Sequence, residues 1–88
     1  MTTSRNNNQQ PSLRSPKNRY HVSVNYPQPL EGIGSVVSFG TMDIENIEDY
    51  IRKYWMNNQP TVYVVIKENM KQYPSFDWQT VRTFNLEA

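Results

Sequence analysis

The chain has 88 residues, of which 36% are hydrophobic, 12% aromatic and 19% charged, with no cysteine, one histidine and a formal net charge of +1. That length holds one small domain. The missing cysteine removes disulfides, thiolate metal ligands and cysteine nucleophiles together, and no run approaches the roughly 18 apolar residues that a membrane span needs.

The net charge hides a division. Up to residue 19 the chain carries Arg5, Arg14, Lys17 and Arg19 against no acid, and its apolar side chains there are Met1 and Leu13. From Tyr20 onward five cations face eight acids, and every Trp, Tyr and Phe of the protein lies in this part. So little apolar surface cannot offset about 1–2 kcal/mol of backbone entropy per ordered residue, so residues 1–19 read as a disordered basic tail and residues 20–88 as the domain. The basic start continues into Asn, Gln, Ser and Pro rather than an apolar stretch, which does not suit a secretory signal. Its Arg and Ser content without acids would suit a transit peptide, but it has no amphipathic helical pattern. The expected location is the cytoplasm.

Tyr20-His21-Val22-Ser23-Val24-Asn25-Tyr26 alternates strictly, the period of a half-buried strand with Tyr20, Val22, Val24 and Tyr26 on one face. Pro27 and Pro29 cannot donate to a ladder and are expected to end it. A loop of about seven residues through Gly32 leads to a second β-type run, Gly34 to Gly40, which suggests a hairpin. Ile44, Ile47, Tyr50, Ile51, Tyr54 and Trp55 then recur at helical spacing. The pattern predicts an amphipathic helix from Asp43 to Met56, capped by Asp43 or Thr41 and stopped at Asn57-Asn58-Gln59-Pro60. Acids in its early turns and Arg52 and Lys53 in its later ones complement the helix dipole.

Thr61 to Lys67 is the strongest strand, β-branched or aromatic throughout. A polar loop, Glu68 to Asp77, precedes a last strand from Trp78 to Leu86, with Trp78, Thr80, Arg82, Phe84 and Leu86 on one side. A short helix capped by Ser75 is the competing reading of that segment. The predicted fold is a small two-layer α+β domain, β-β-α-β-β, with one amphipathic helix packed on a mainly antiparallel sheet. Should the strands flanking the helix pair in parallel, the crossover would be right-handed.

Chemistry has little to stand on in this pattern. His21 lies on the polar side of the first strand, where an exposed strand histidine is the plain reading, and nothing brings a nucleophile or carboxylate to it. Asp43, Glu45, Glu48 and Asp49 keep helical period and lack the glycine of a calcium loop, so they read as the solvated side of the helix. Glu31-Gly32-Ile33-Gly34 precedes a strand rather than opening a helix, which is the wrong context for a phosphate cradle. No enzyme activity, cofactor or metal is expected.

Two surfaces remain as binding candidates. With Val62, Val64 and Ile66 facing the helix, Tyr63, Val65 and Lys67 point the other way. One helix leaves that side uncovered, with Trp78 and Arg82 near its rim. This favours a protein-interaction or regulatory module that binds a protein partner or a second copy of itself. The alternative is a nucleic-acid accessory protein, with Arg5, Arg14, Lys17 and Arg19 contacting phosphates and exposed aromatics stacking on bases. The acidic body and the lack of a Lys/Arg-Gly-aromatic motif weigh against the latter. Ser15-Pro16 also fits a proline-directed phosphorylation site, a match of two residues only.

Overall fold

A computed structural model describes residues 18–88. The expected disorder of the tail, three of its cations (Arg5, Arg14 and Lys17) and the Ser15-Pro16 pair lie outside the described residues. Five elements follow in order: β1 (Tyr20–Leu30), β2 (Gly34–Thr41), α1 (Ile47–Tyr54), β3 (Thr61–Asn69) and β4 (Trp78–Glu87). The sheet runs β2-β1-β3-β4 with every neighbouring pair antiparallel. This is the small α+β fold that the sequence pattern predicts. The strands flanking the helix, β2 and β3, are separated by β1, so no parallel crossover arises.

Register explains the core. Val22 sits between Phe39 and Ile66, and Val24 between Val37 and Val64; on the outer side of β3, Val64 pairs with Phe84 and Val62 with Leu86. The period-2 apolar set of each strand therefore lands on one face, and Ile47 and Ile51 of α1 close over it. The last segment is strand, not helix, because its Thr/Val-rich backbone completes the ladder along β3.

Three predicted boundaries move. First, β1 passes through Pro27 and Pro29 to Leu30. Its pairing with β3 ends at Asn25 opposite Tyr63, so beyond that point the strand has one neighbour and the missing N–H groups cost nothing on the free side. Pairing with β2 is also irregular there, stepping from Asn25↔Val36 to Leu30↔Gly34. The hairpin closes through a short turn in which the Ile33 N–H donates to the Leu30 carbonyl at 3.0 Å. Gly32 at φ +78° and Gly34 at φ +93° supply the left-handed backbone that this turn requires.

Second, α1 begins at Ile47 rather than Asp43. Both proposed caps are used one turn earlier: Asp43 Oδ1 accepts the Glu45 N–H at 2.8 Å, and Thr41 Oγ1 accepts the Asp43 N–H at 3.2 Å. These local bonds hold the chain in turns and compete with helix. Asn46 enters the helix at φ 63° with no side-chain cap bond. The helix ends at Tyr54, where the Trp55 N–H closes on the Ile51 carbonyl at 2.7 Å, and Asn57 and Asn58 then turn the chain at φ 52° and 63°.

Third, β4 does not keep one face. Ile66 pairs with Arg82 but Lys67 pairs with Thr80, leaving Val81 as an extra residue in a bulge. Trp78 and Thr80 therefore lie on the sheet face opposite to Arg82, Phe84 and Leu86.

Candidate interaction surface

The sheet face away from α1 is built by the alternate residues of all four strands. β1 contributes His21, Ser23 and Asn25, β3 contributes Tyr63, Val65 and Lys67, and β4 contributes Trp78, Thr80, Thr83 and Asn85. Tyr63 stands between Asn25 and Asn85, Val65 between Ser23 and Thr83, and Lys67 between His21 and Thr80. Tyr63 is 43% exposed, Lys67 is exposed and Val65 is half-buried. Polar neighbours are pinned in place: the Ser23 and Ser38 hydroxyls lie 3.3 Å apart, and Asn25 Nδ2 donates to the Tyr63 carbonyl at 3.1 Å. The result is a face with an apolar centre at Tyr63 and Val65, bordered by hydroxyl and amide groups.

Of the residues that the sequence assigns to this patch, Tyr63, Val65, Lys67 and Trp78 share the face and Arg82 does not. The bulge at Val81 turns Arg82 toward the helix, where its Nη2 meets Glu48 Oε2 at 2.9 Å and its guanidinium lies 4.4 Å from the centre of the Phe84 ring. Both partners of that ion pair are close to half-exposed. Arg82→Ala is accordingly expected to lower stability by less than about 1 kcal/mol in thermal unfolding, while the amide resonances of Tyr63 and Val65 stay in place.

His21 is half-buried rather than exposed. The Trp78 ring reaches across the end of β3 and meets it edge-on, with centroids 6.0 Å apart and planes at 63°. Arg19, grouped with the tail by charge, is tied to the sheet: it forms an ion pair with Glu68, with Nε 2.7 Å from Oε2. The hydrogen bond and the charge of Glu68 hold the guanidinium above its ordinary range.

The sequence pattern misplaces one further group. Tyr50 and Tyr54 share the helical period with Ile47 and Ile51, yet they are 44% and 58% exposed. Tyr50 lies about 60–100° and Tyr54 about 20–60° around the helix from the two isoleucines, toward the flank above the edge strand β2. There Tyr50 contacts Phe39 at 5.4 Å and Tyr54 at 5.0 Å, and Phe39 stacks on Trp55 at 5.4 Å. The signal in the sequence is the tyrosine hydroxyl: both rings carry a polar tip suited to a half-wet position.

Among the described residues no group of three or more His, Asp or Glu side chains is arranged to hold a metal ion, and no helix is long and apolar enough to cross a membrane. No protein-family model, curated protein or solved structure matches this chain.

Proposed function

We propose that this protein is a small binding module whose sheet face opposite α1, centred on Tyr63 and Val65, docks a protein partner, with a second copy of the chain as the first partner to test. One observation supports this reading above the rest: an aromatic ring stands 43% exposed at the middle of a four-stranded sheet whose other face carries the only helix among the described residues. Tyrosine offers a large, rigid contact area and a hydroxyl that can reach a partner, which is why it is enriched among the residues that dominate interfaces. The surrounding Ser, Thr and Asn side chains suit a polar rim.

In the competing nucleic-acid reading, Arg5, Arg14, Lys17 and Arg19 would meet phosphates. Of these, Arg19 lies among the described residues and is engaged by the Glu68 carboxylate; Arg82 is turned to Glu48, so Lys67 is left as the cation at the aromatic face. That favours the protein reading.

The test follows amide shifts and light scattering of the full chain from micromolar to millimolar concentration. Shift changes are expected at Ser23, Tyr63, Val65 and Thr83. Tyr63→Ala should weaken association about 30-fold, the equivalent of about 2 kcal/mol for an interface anchor. The thermal midpoint should fall by no more than about 4–8 °C, because an exposed strand substitution costs about 1 kcal/mol or less. Shift changes confined to other surfaces, or an association that ignores Tyr63→Ala, would refute the proposal.

A further inference from the structure

The outer edge of β2 is open: its inner edge pairs with β1, and among the described residues no strand pairs with the other side. Which backbone groups lie there follows from the ladder. The Asn69 N–H donates to the Arg19 carbonyl at 2.8 Å, one step beyond Tyr20↔Glu68 in the same register. Hydrogen-bonded pairs alternate along an antiparallel ladder, so His21, Ser23 and Asn25 bond to β3, while Tyr20, Val22 and Val24 bond to β2. Their partners in β2 are Thr41, Phe39 and Val37. The N–H and C=O groups of Val36, Ser38 and Gly40 therefore point outward at the free edge.

Natural edge strands are guarded by charged side chains, proline or a bulge. The other edge, β4, has the bulge at Val81 and carries Arg82. β2 has neither charge nor proline, and its pairing runs without a break from Val36 to Thr41. Exposed apolar groups border it on both sides of the sheet. Val36, opposite Asn25 on the face away from α1, is 44% exposed, and Tyr50 and Tyr54 flank it on the helix side. We propose that this edge takes the β2 strand of a second copy of the chain, antiparallel, about a two-fold axis at Ser38, so that two four-stranded sheets become one. Val36 then faces the partner's Gly40, Ser38 the partner's Ser38, and Gly40 the partner's Val36, each pair exchanging two backbone hydrogen bonds.

Self-complementarity selects a second copy as the occupant. The outward groups are spaced symmetrically about Ser38, so one register satisfies both strands. Residues directly opposed in a ladder share a face, so both helices fall on one side and the tyrosine pairs of the two copies flank the seam. Charge agrees with the antiparallel sense. α1 begins beside Thr41, where Asp43 and Glu45 line a cleft with Phe39 and Tyr50. It ends toward Tyr26, whose hydroxyl donates to the Trp55 carbonyl at 2.7 Å, with Lys53 held 5.4 Å from the Tyr54 ring. Antiparallel pairing sets the acidic end of each copy against the Lys53 end of the other. Among the described residues Asp43, Glu45 and Lys53 have no ion pair of their own, and Glu31 lies in the hairpin turn beyond the paired span. This pairing goes beyond the docking face and leaves Tyr63 and Val65 uncovered.

The experiment is amide exchange and NMR on the full chain from micromolar to millimolar concentration. The amides of Val36, Ser38 and Gly40 are expected to exchange freely in dilute solution and about tenfold or more slowly in concentrated solution, while those of Val37 and Phe39 stay protected throughout. A mixture of labelled and unlabelled chains should show a contact between the Val37 Hα of one copy and the Phe39 Hα of the other. Ser38→Pro removes the central donors without touching the β1 ladder and should weaken association about tenfold or more. Ser38→Lys and Ser38→Glu each set like charges opposite one another and should weaken it several-fold. Mixing these two variants should restore it, a rescue that a folding defect would not give and that carries the test if the proline variant fails to fold. Edge amides that stay unprotected at millimolar concentration, or charged variants that associate no better mixed than alone, would overturn the proposal. Tyr63→Ala should leave the edge signals in place, so this pairing and the docking face can fail separately; edge signals lost with Tyr63→Ala would also overturn it.

Discussion

Ile51→Ala is expected to destabilise the protein by about 3 kcal/mol, within the range of about 2–5 kcal/mol found when buried aliphatics are cut to alanine. Ile51 is 0% exposed and is one of the two residues of α1 that the core buries, Ile47 being the other. An eight-residue helix does not persist alone in water, where isolated helices shorter than about 12–15 residues are marginal. Its order is therefore imposed by those two anchors. The cavity cannot close readily, because Val22, Val24, Val64 and Ile66 beneath it are fixed by the ladder pairings of β1 and β3. Small domains hold about 0.05–0.15 kcal/mol of stability per residue, so this single change removes a large share of the total. Urea unfolding followed by tryptophan fluorescence should show a lowered midpoint at unchanged slope. Ile51→Val should cost only about 1 kcal/mol. A loss below about 1 kcal/mol for the alanine variant would mean that α1 is not held by this contact.

The contrast between those two isoleucines and their tyrosine neighbours shows what a sequence can carry. Alternation in β1 and β3 is legible because burial enforces it: Val22, Val24 and Tyr26, like Val62, Val64 and Ile66, all fall on the buried face. The same parity correctly sends Tyr63 and Val65 to the other face. Arg82 is misassigned because nothing in Trp78–Leu86 marks the extra residue at Val81; a bulge is a property of two paired strands, not of one. Pro27 and Pro29 stay in strand because β3 ends beside them, a fact about a segment more than thirty residues away in sequence. The start of α1 is lost to side-chain bonds of Thr41 and Asp43 that suit a turn as well as a cap. Tyr50 and Tyr54 read as core because helical period reports a stripe but not how wide a sheet lies under it. Long-range pairings such as Arg19 with Glu68 leave no local trace at all.

Asn69→Ala is expected to be the next most costly substitution, at about 2–3 kcal/mol, because it strips the partners from backbone groups that the loop cannot otherwise satisfy. Asn69 is a polar side chain at the end of β3 and only 7% exposed. Its Oδ1 accepts the Lys71 N–H at 3.1 Å and the Asp77 N–H at 2.7 Å, while its Nδ2 donates to the Ser75 carbonyl at 3.3 Å. One amide thus closes both ends of the loop between β3 and β4, beside a backbone bond from the Met70 N–H to the Asp77 carbonyl at 2.9 Å. Alanine keeps none of the three side-chain bonds. The loop delivers Trp78 to its place against His21, so the damage should spread into that end of the sheet, although alanine keeps the backbone bond from the residue-69 N–H to the Arg19 carbonyl. A thermal midpoint about 10 °C lower is expected, at about 4–8 °C per kcal/mol for a domain of this size. Hydrogen exchange at the Lys71 and Asp77 amides should accelerate with it. Fast exchange there at an unchanged midpoint would show instead that the loop opens alone, and that the Trp78 end of the binding face is a locally unfolding edge rather than part of the cooperative core.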